Sequence, residues 1–453
     1  MTGLQGCPML EDSPYLKKPW LKHYEQGVPE SIRYEEICLP EILERTVRDF
    51  PDRTALIFEG YQLSFRQLQN MIDRFAGCLV SCGVKRGDAV AIILPNMIQC
   101  VAAYYAIMKI GAVTVMNNPL YSDRELEYQF NDSGAKVLIA IDLLGNRMID
   151  LRPRTKIKQI IITSIGDYLP FPKNLLFPLV AKKKRLAASV KPSPDVFFWK
   201  DCIARHEPYT RNVKIGFNDV AMYQYTGGTT GVSKGVELTH ANLACQVQQA
   251  AAWFPKLERG KEIMLGALPY FHVFGLTACM NFAISMGWPQ VLIPKPQPEP
   301  LLKAIKTYRP TFAPLVPTMY VGLLSHPDLK KTDIKCMKGA FSGSAPLPVE
   351  VIREFEAATG AVIVEGFGMT ETSPVTHINP FAGGARKVGS VGIPISDTLA
   401  RIVDIEEGTR EMAVGEDAKQ APLRGGGLQL VAAVHHGVTG LLVLSLQVPL
   451  VFA

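Results

Sequence analysis

Between Tyr225 and Gly235 the chain reads YTGGTTGVSKG. Thr226, Thr229 and Thr230 supply hydroxyls, while Gly227, Gly228 and Gly231 let backbone approach a ligand closely. Lys234 adds a mobile positive charge. Such a loop suits phosphate oxygens, which backbone N–H groups can surround. A strand is expected before it and a helix shortly after. The lysine lies between Ser233 and Gly235, so the Walker A pattern is not matched. The plain alternative is a flexible Gly/Ser/Thr turn.

Three further segments have residue types fit for chemistry. Residues 365–372 read EGFGMTET. Phe367, between Gly366 and Gly368, can stack on a flat base. Beyond Met369, Thr370 and Glu371 place a hydroxyl and a hard carboxylate where a Mg²⁺–phosphate could sit. Taken alone, Glu371 reads as a solvated or capping carboxylate. Residues 267–275, ALPYFHVFG, open a strand end into an aromatic turn around His272, which alone reads as a satisfied core histidine. Residues 341–347, FSGSAPL, put Gly343, Ser344 and Ala345 in a small-residue turn at a strand end, where open α/β sheets bind ligands.

Buried strands must position these turns. Runs rich in branched residues at 89–95, 136–141, 159–163, 221–226, 262–269, 291–294, 312–317 and 361–367 read as strands. Helices lie between them. One starts at Ser122, where Ser-Asp-Arg-Glu forms a capping box with Glu125 and Leu126 and Phe130 share a face. Another runs from an N-cap at Thr239 to Phe254. Strand–helix alternation of this kind argues an α/β fold with largely parallel sheets.

Composition narrows the class. The chain has 453 residues, 47% of them hydrophobic and 20% charged, with a net charge of +6, so nucleic-acid binding has no electrostatic warrant. Nine cysteines are scattered without CxxC or metal-ligand spacing and read as buried thiols in a reducing compartment. The N-terminus lacks a signal peptide's apolar stretch and no long apolar run appears, so a cytoplasmic location is expected.

Two segments stand apart. Residues 168–185, YLPFPKNLLFPLVAKKKR, join apolar residues and prolines to a basic run from Lys182 to Arg185. The prolines argue against a regular spanning helix. The segment is either an irregular surface excursion or a peripheral contact with an anionic membrane face. From Gly425 to Ala453 no Asp, Glu, Lys or Arg occurs, and neither helical nor strand period is evident. Residues 417–453 read as an unrelated apolar tail, consistent with a shifted reading frame.

The four motifs, in this order and followed by Gly389 to Pro394 (GSVGIP), resemble the adenylate-forming superfamily of acyl-CoA synthetases, luciferases and peptide-synthetase adenylation domains. Within it, residues 117–121 (NNPLY), 131–135 (NDSGA) and 168–185 are similar to bacterial-type long-chain fatty-acid CoA ligases. The resemblance covers about residues 30 to 416.

That resemblance implies a large N-terminal domain of stacked, mostly parallel sheets flanked by helices, with a smaller β subdomain. It divides the chain into an extension (1–30), an AMP-binding domain (31–416) and the tail. It implies fatty acid, ATP and CoA as substrates, Mg²⁺ as the metal, and ligation through acyl-AMP. Thr226 to Lys234 would hold the β- and γ-phosphates, Thr370 the α-phosphate and Glu371 the metal. Phe367 replaces the usual adenine-stacking tyrosine. Gly343 to Ala345 and Glu365 to Thr370 would line the nucleotide pocket, with His272 near the substrate carboxylate. Gly228 stands where Ser is frequent, and Ser344 where Gly is frequent. The family's following Gly-Asp motif and small lysine-bearing C-terminal domain are not recognisable, so little acyl-CoA formation is expected. A non-catalytic ATP- or fatty-acid-binding fragment, or an adenylate former for another carboxylic acid, stays open.

Overall fold

The computed structural model describes residues 13–184, 186–211, 213–227, 232–382, 384–403, 428–435 and 441–448. A hairpin comes first, β1 (Thr54–Phe58) and β2 (Tyr61–Ser64). The next strands are β3 (Ala89–Ile93), β4 (Val113–Met116), β5 (Val137–Ile141), β6 (Gln159–Thr163), β7 (Val196–Phe198), β8 (Val220–Thr226) and β9 (Lys234–Thr239). They form one sheet in the order β7-β6-β5-β3-β4-β8-β9, parallel except for β9. Next come β10 (Met264–Gly266), β11 (Gln290–Leu292), β12 (Phe312–Leu315), β13 (Gly339–Ser342), β14 (Val362–Gly368), β15 (Val375–Ile378) and β16 (Ile393–Pro394). With the hairpin they build a second sheet, β16-β15-β14-β13-β12-β10-β11-β1-β2. Three antiparallel strands, β17 (Thr398–Val403), β18 (Leu428–His435) and β19 (Leu441–Val448), complete the described chain.

All eight apolar runs became strands, because parallel strands covered on both faces need continuous apolar sequence. Every residue of β3 and β5 is buried. The helix caps also hold. In α1 (Asp123–Asp132) the Ser122 hydroxyl accepts from the Glu125 N–H and the Glu125 carboxylate accepts from the Ser122 N–H at 2.7 Å. Leu126 and Phe130 are buried.

Residues 168–185 depart from the irregular excursion. α2 (Lys173–Lys184) is a regular helix with Pro178 inside it. Pro170 and Pro172 precede it, where no helical N–H is needed, and Pro178 removes a single i→i−4 bond. Twelve residues rise about 18 Å, well short of a bilayer core. Among the described residues no helix is long and apolar enough to cross a membrane.

The loop at 225–235 also departs from strand–loop–helix. Lys234 begins β9, which pairs antiparallel with β8, Thr226 opposite Lys234. β8 and β9 thus form an antiparallel pair, and α3 (His240–Trp253), capped by Thr239 as expected, begins only after β9. The alternation in Lys234–Thr239 carries a strand that the glycines had masked. The tail likewise forms β18 and β19 against β17, strand structure where no period was evident. Leu- and Val-rich segments satisfy an open sheet edge without strict alternation.

Residues 13–30 pack on the same body. Tyr15 and Trp20 are buried, the Tyr24 hydroxyl donates to Pro394 O at 2.7 Å, and buried Glu25 accepts from the Ala382 N–H at 2.8 Å. The eight described cysteines are all unpaired by disulfides.

Two buried histidines set an acid limit. Burial lowers His240, at the start of α3, and His377, in β15, from 6.5 to about 4. The unfolded chain then takes up protons near pH 6.5 that the native chain refuses until about pH 4. Native stability therefore falls as pH drops through this window, by up to about 1.4 kcal/mol per pH unit for each histidine. Urea midpoints should decline from pH 6.5 to pH 4.5, and H377N should flatten that decline. A flat profile in the parent protein would contradict this assignment.

Candidate active site

The second sheet changes direction at the 365–372 motif. β13 and β14 run parallel; β15 then turns back antiparallel, with Phe367 opposite His377 and Gly368 opposite Val375. A Cβ at Gly368 would overlap the Pro374 carbonyl, and one at Gly366 would overlap the Phe341 ring. These glycines are thus demanded by packing. The opposite holds at Gly227, where a Cβ would meet nothing within 4 Å, leaving open space just past the end of β8.

The turn between β14 and β15 carries Thr370 and Glu371, both half-buried. It is closed by the Met369 N–H donating to Pro374 O at 2.8 Å and by the buried Thr372 hydroxyl donating to Pro374 O. β9 lies against this turn, so the hairpin of the first sheet meets the Thr-Glu turn of the second.

Beneath the turn is an open cavity of about 50 Å³. Gly343 and Ser344 border it on one side and Gly366, Phe367 and Gly368 on the other, with Phe274 and Phe341 between. Phe274 packs close over Gly343 and meets Phe341 edge-on at 5.4 Å. Ser344 sits at φ +71°, a left-handed conformation that explains the glycine frequent there.

A second, narrow cavity, of about 20 Å³ as the structure stands, shares Phe341, Pro374 and Val375 with the first. Its lining is apolar, with Ala250, Phe254, Phe282, Phe312 and Ile378 prominent. Gln246 and Thr277 are the only polar side chains on it among the described residues. Thr277 belongs to a π-helical stretch, Leu276–Asn281, of the kind that recurs at functional sites.

The remaining expected residues fall into three groups. Lys234 is exposed at the start of β9 and Thr226 half-buried at the end of β8. Gly228, Thr229, Thr230 and Gly231 lie outside the described residues. Ala345 is exposed just beyond Ser344, and Met369 is half-buried. His272 is exposed and lines neither cavity, although its neighbour Phe274 does; Phe271 stacks beside it at 4.8 Å, and local desolvation lowers its pKa. Glu365 lines neither cavity. It is buried, which raises its pKa, and its carboxylate accepts from the Gly389 N–H at 2.8 Å, tying the 389–394 segment to β14. Its observed role is to hold loops.

Sequence reasoning did not single out Gln246, Pro374 or Val375 as site residues. Phe274 and Phe341 sat inside quoted motifs, with no signal separating them from core aromatics.

Residues 43–416 match the AMP-binding enzyme family. This chain belongs to that family. It is 42% identical over 394 residues to the long-chain-fatty-acid–CoA ligase of Bacillus subtilis, covering 86% of this chain and 70% of that protein. The Salmonella typhimurium long-chain-fatty-acid–CoA ligase is 33% identical over 409 residues, 88% of this chain and 72% of its own. Among solved structures, a long-chain-fatty-acid–CoA ligase from Archaeoglobus fulgidus superposes with a TM-score of 0.73 at 24% identity, over 90% of this chain and 77% of that one. An anthranilate CoA ligase in complex with anthranoyl-AMP superposes with a TM-score of 0.75 at 22% identity, over 88% and 70%. The last two show the fold.

AMP-forming CoA ligases, the class of the curated relatives, use ATP, Mg²⁺ and CoA. No cluster of three His, Cys, Asp or Glu able to hold a metal occurs among the described residues. A lone carboxylate, Glu371, suits Mg²⁺, which takes most of its ligands from phosphate and water.

The two backbone readings separate by substitution. Ser344→Gly should gain about 1 kcal/mol by relieving the left-handed conformation. Gly368→Ala should lose about 3 kcal/mol or fail to fold, since backbone has no room to move. Gly227→Ala should melt like the parent. Thermal unfolding of the three variants checks this, and equal tolerance at 368 and 227 would overturn it.

Proposed function

We propose that this AMP-binding enzyme activates a long-chain fatty acid, joining its carboxylate to ATP to give acyl-AMP and pyrophosphate, then passing the acyl group to the thiol of CoA as the acyl–phosphate bond breaks and AMP and the thiol proton are released. The carrying observation is that the apolar chamber shares a wall with the cavity bordered by Phe367. An acyl chain that widened this apolar space would bring its carboxyl end to the nucleotide, in position for in-line attack on the α-phosphorus. Lys234, Thr226 and the residues between them would hold the β- and γ-phosphates. Thr370 would contact the α-phosphate, Phe367 would stack on adenine, and Gly343 to Ala345 would line its pocket. His272, beside Phe274, would face the carboxylate at the mouth. Mg²⁺, held by Glu371, would neutralise phosphate charge.

Palmitate-dependent exchange of labelled pyrophosphate into ATP reads the first half-reaction alone. The parent chain should catalyse it, and Glu371→Gln and Lys234→Ala should each lower the rate on the order of 10²-fold. Absence of exchange with any acid would leave a binding fragment; exchange with coumarate but not palmitate would indicate an aryl-acid ligase.

We also propose that the enzyme works in a reducing cytoplasm, in peripheral contact with an anionic membrane face. The free cysteines support the compartment. The surface of α2 supports the contact. Phe177 packs over Gly166 and Ala181 is buried, while Phe171, Leu175, Leu176 and Leu179 on the outer side are 78%, 66%, 54% and 75% exposed. Monomeric proteins rarely show such a patch to water. Residues 168–185 hold five Lys or Arg and no acid, which selects an anionic bilayer over an apolar protein partner. Vesicles containing phosphatidylglycerol should sediment the parent protein, less so at high salt. The double variant Leu175→Ser, Leu179→Ser should stay soluble with an unchanged melting temperature. Equal sedimentation of both would exclude α2 as the contact.

A further inference from the structure

Gln246 has an unusual place in this structure. It projects from α3 into the wall of the apolar chamber and is 2% exposed. Its Oε1 accepts from the Val375 N–H at 2.9 Å. Val375 is the first residue after the turn that carries Thr370 and Glu371. One helical turn on, the Gln246 Nε2 donates to Gln249 Oε1 at 3.2 Å, and the Gln249 Nε2 donates to Ser396 O at 2.8 Å. A buried amide relay thus joins the chamber wall to the Thr-Glu turn and to the strand connection leading to β17.

We infer that Gln246 is a positioning residue that makes the Thr370–Glu371 turn sensitive to occupancy of the apolar chamber. The inference rests on the proposed reading of chamber and turn. A buried side-chain amide keeps one orientation only while its surroundings hold it. The Gln246 amide is hydrogen-bonded at both ends, so packing against its side chain is passed to the Val375 N–H. An acyl chain seated against this wall adds packing to Gln246 and narrows the positions open to the amide and to the Val375 N–H. The turn is then set before Mg·ATP arrives, so the nucleotide binds at lower ordering cost. Linkage makes the effect reciprocal.

The test uses the full chain with an acyl ligand that cannot react, 1-dodecanol, and titrates Mg·ATP by calorimetry with and without it. The parent should bind Mg·ATP at least about fivefold more tightly with dodecanol present. Gln246→Met, close in volume but without the acceptor, should bring that ratio to one. Gln246→Glu retains an oxygen for the Val375 N–H and should keep most of the coupling, which a purely space-filling role would not require. Should Gln246→Met not fold, Gln246→Asn withdraws the same oxygen by one methylene. A parent ratio of one, or an unchanged ratio in the Met or Asn variant, overturns the inference while leaving the proposed function standing. A parent that binds no Mg·ATP at all sinks both.

Discussion

The close approach of Gly368 to the Pro374 carbonyl is the contact on which the rest of the site depends. It lets β15 reverse against β14 with no side chain between, at the edge of an otherwise parallel run. That reversal lifts Thr370 and Glu371 above the strand ends and leaves the cavity beneath them. Gly392 repeats the device one strand further, its φ of +89° and its contact with the Asn379 backbone closing β16 onto β15. Glycines at such crossings do the work of geometry, and ligand access follows from where they let the sheet turn.

Around this fold-back, buried polar groups fix loops. Glu365 holds the Gly389 N–H, and Arg386 pairs with Glu356 while donating to Ile363 O at 2.7 Å. Asn96 spans the two sheets, its Nδ2 donating to Gly266 O and Leu268 O and its Oδ1 accepting from the Tyr270 N–H. The Gln224 amide donates to Phe271 O at 3.0 Å. Buried hydrogen bonds of this kind add modest net stability but define one arrangement strongly, although the Gln224 Oε1 finds no partner. They hold the hairpin of the first sheet in register with the turn of the second.

What could be read in advance follows the same division. The doubly covered strands were legible because burial on both faces writes continuous apolar runs into the sequence, as in Val137–Ile141. Helix starts were legible because Ser122 and Thr239 solve a local hydrogen-bonding problem with their own neighbours. The pairing of β8 with β9 was not, because β9 has only Leu238 fully buried and its Gly235 continues a glycine-rich run that resembles a loop. Gln246 was not, because its partner lies 129 residues away and no local pattern encodes such a pairing. The function of the glycines was half legible: the motif marked them, but only packing separates Gly368, which the sheet requires, from Gly227, which leaves space.

The chemistry proposed for this site also explains why the apolar surface is divided in two. A long acyl chain is as insoluble in water as the core that receives it, so the enzyme must hide it throughout. In the proposed reading the apolar space walled by Phe254, Phe282 and Phe312 would do this on the inside, next to the cavity proposed for the nucleotide. α2 presents leucines on the outside, one face packed by Phe177 and Ala181 and the other left open. Burying that outer face against its own domain would have been the simpler solution for stability, at about 25 cal/mol for each Å² removed from water. Its exposure beside a basic run makes sense where the surrounding medium is itself apolar and anionic. The proposed membrane contact and acyl chamber would then be two ends of a single hydrophobic problem, with the Thr-Glu turn placed where the polar end of such a substrate would emerge.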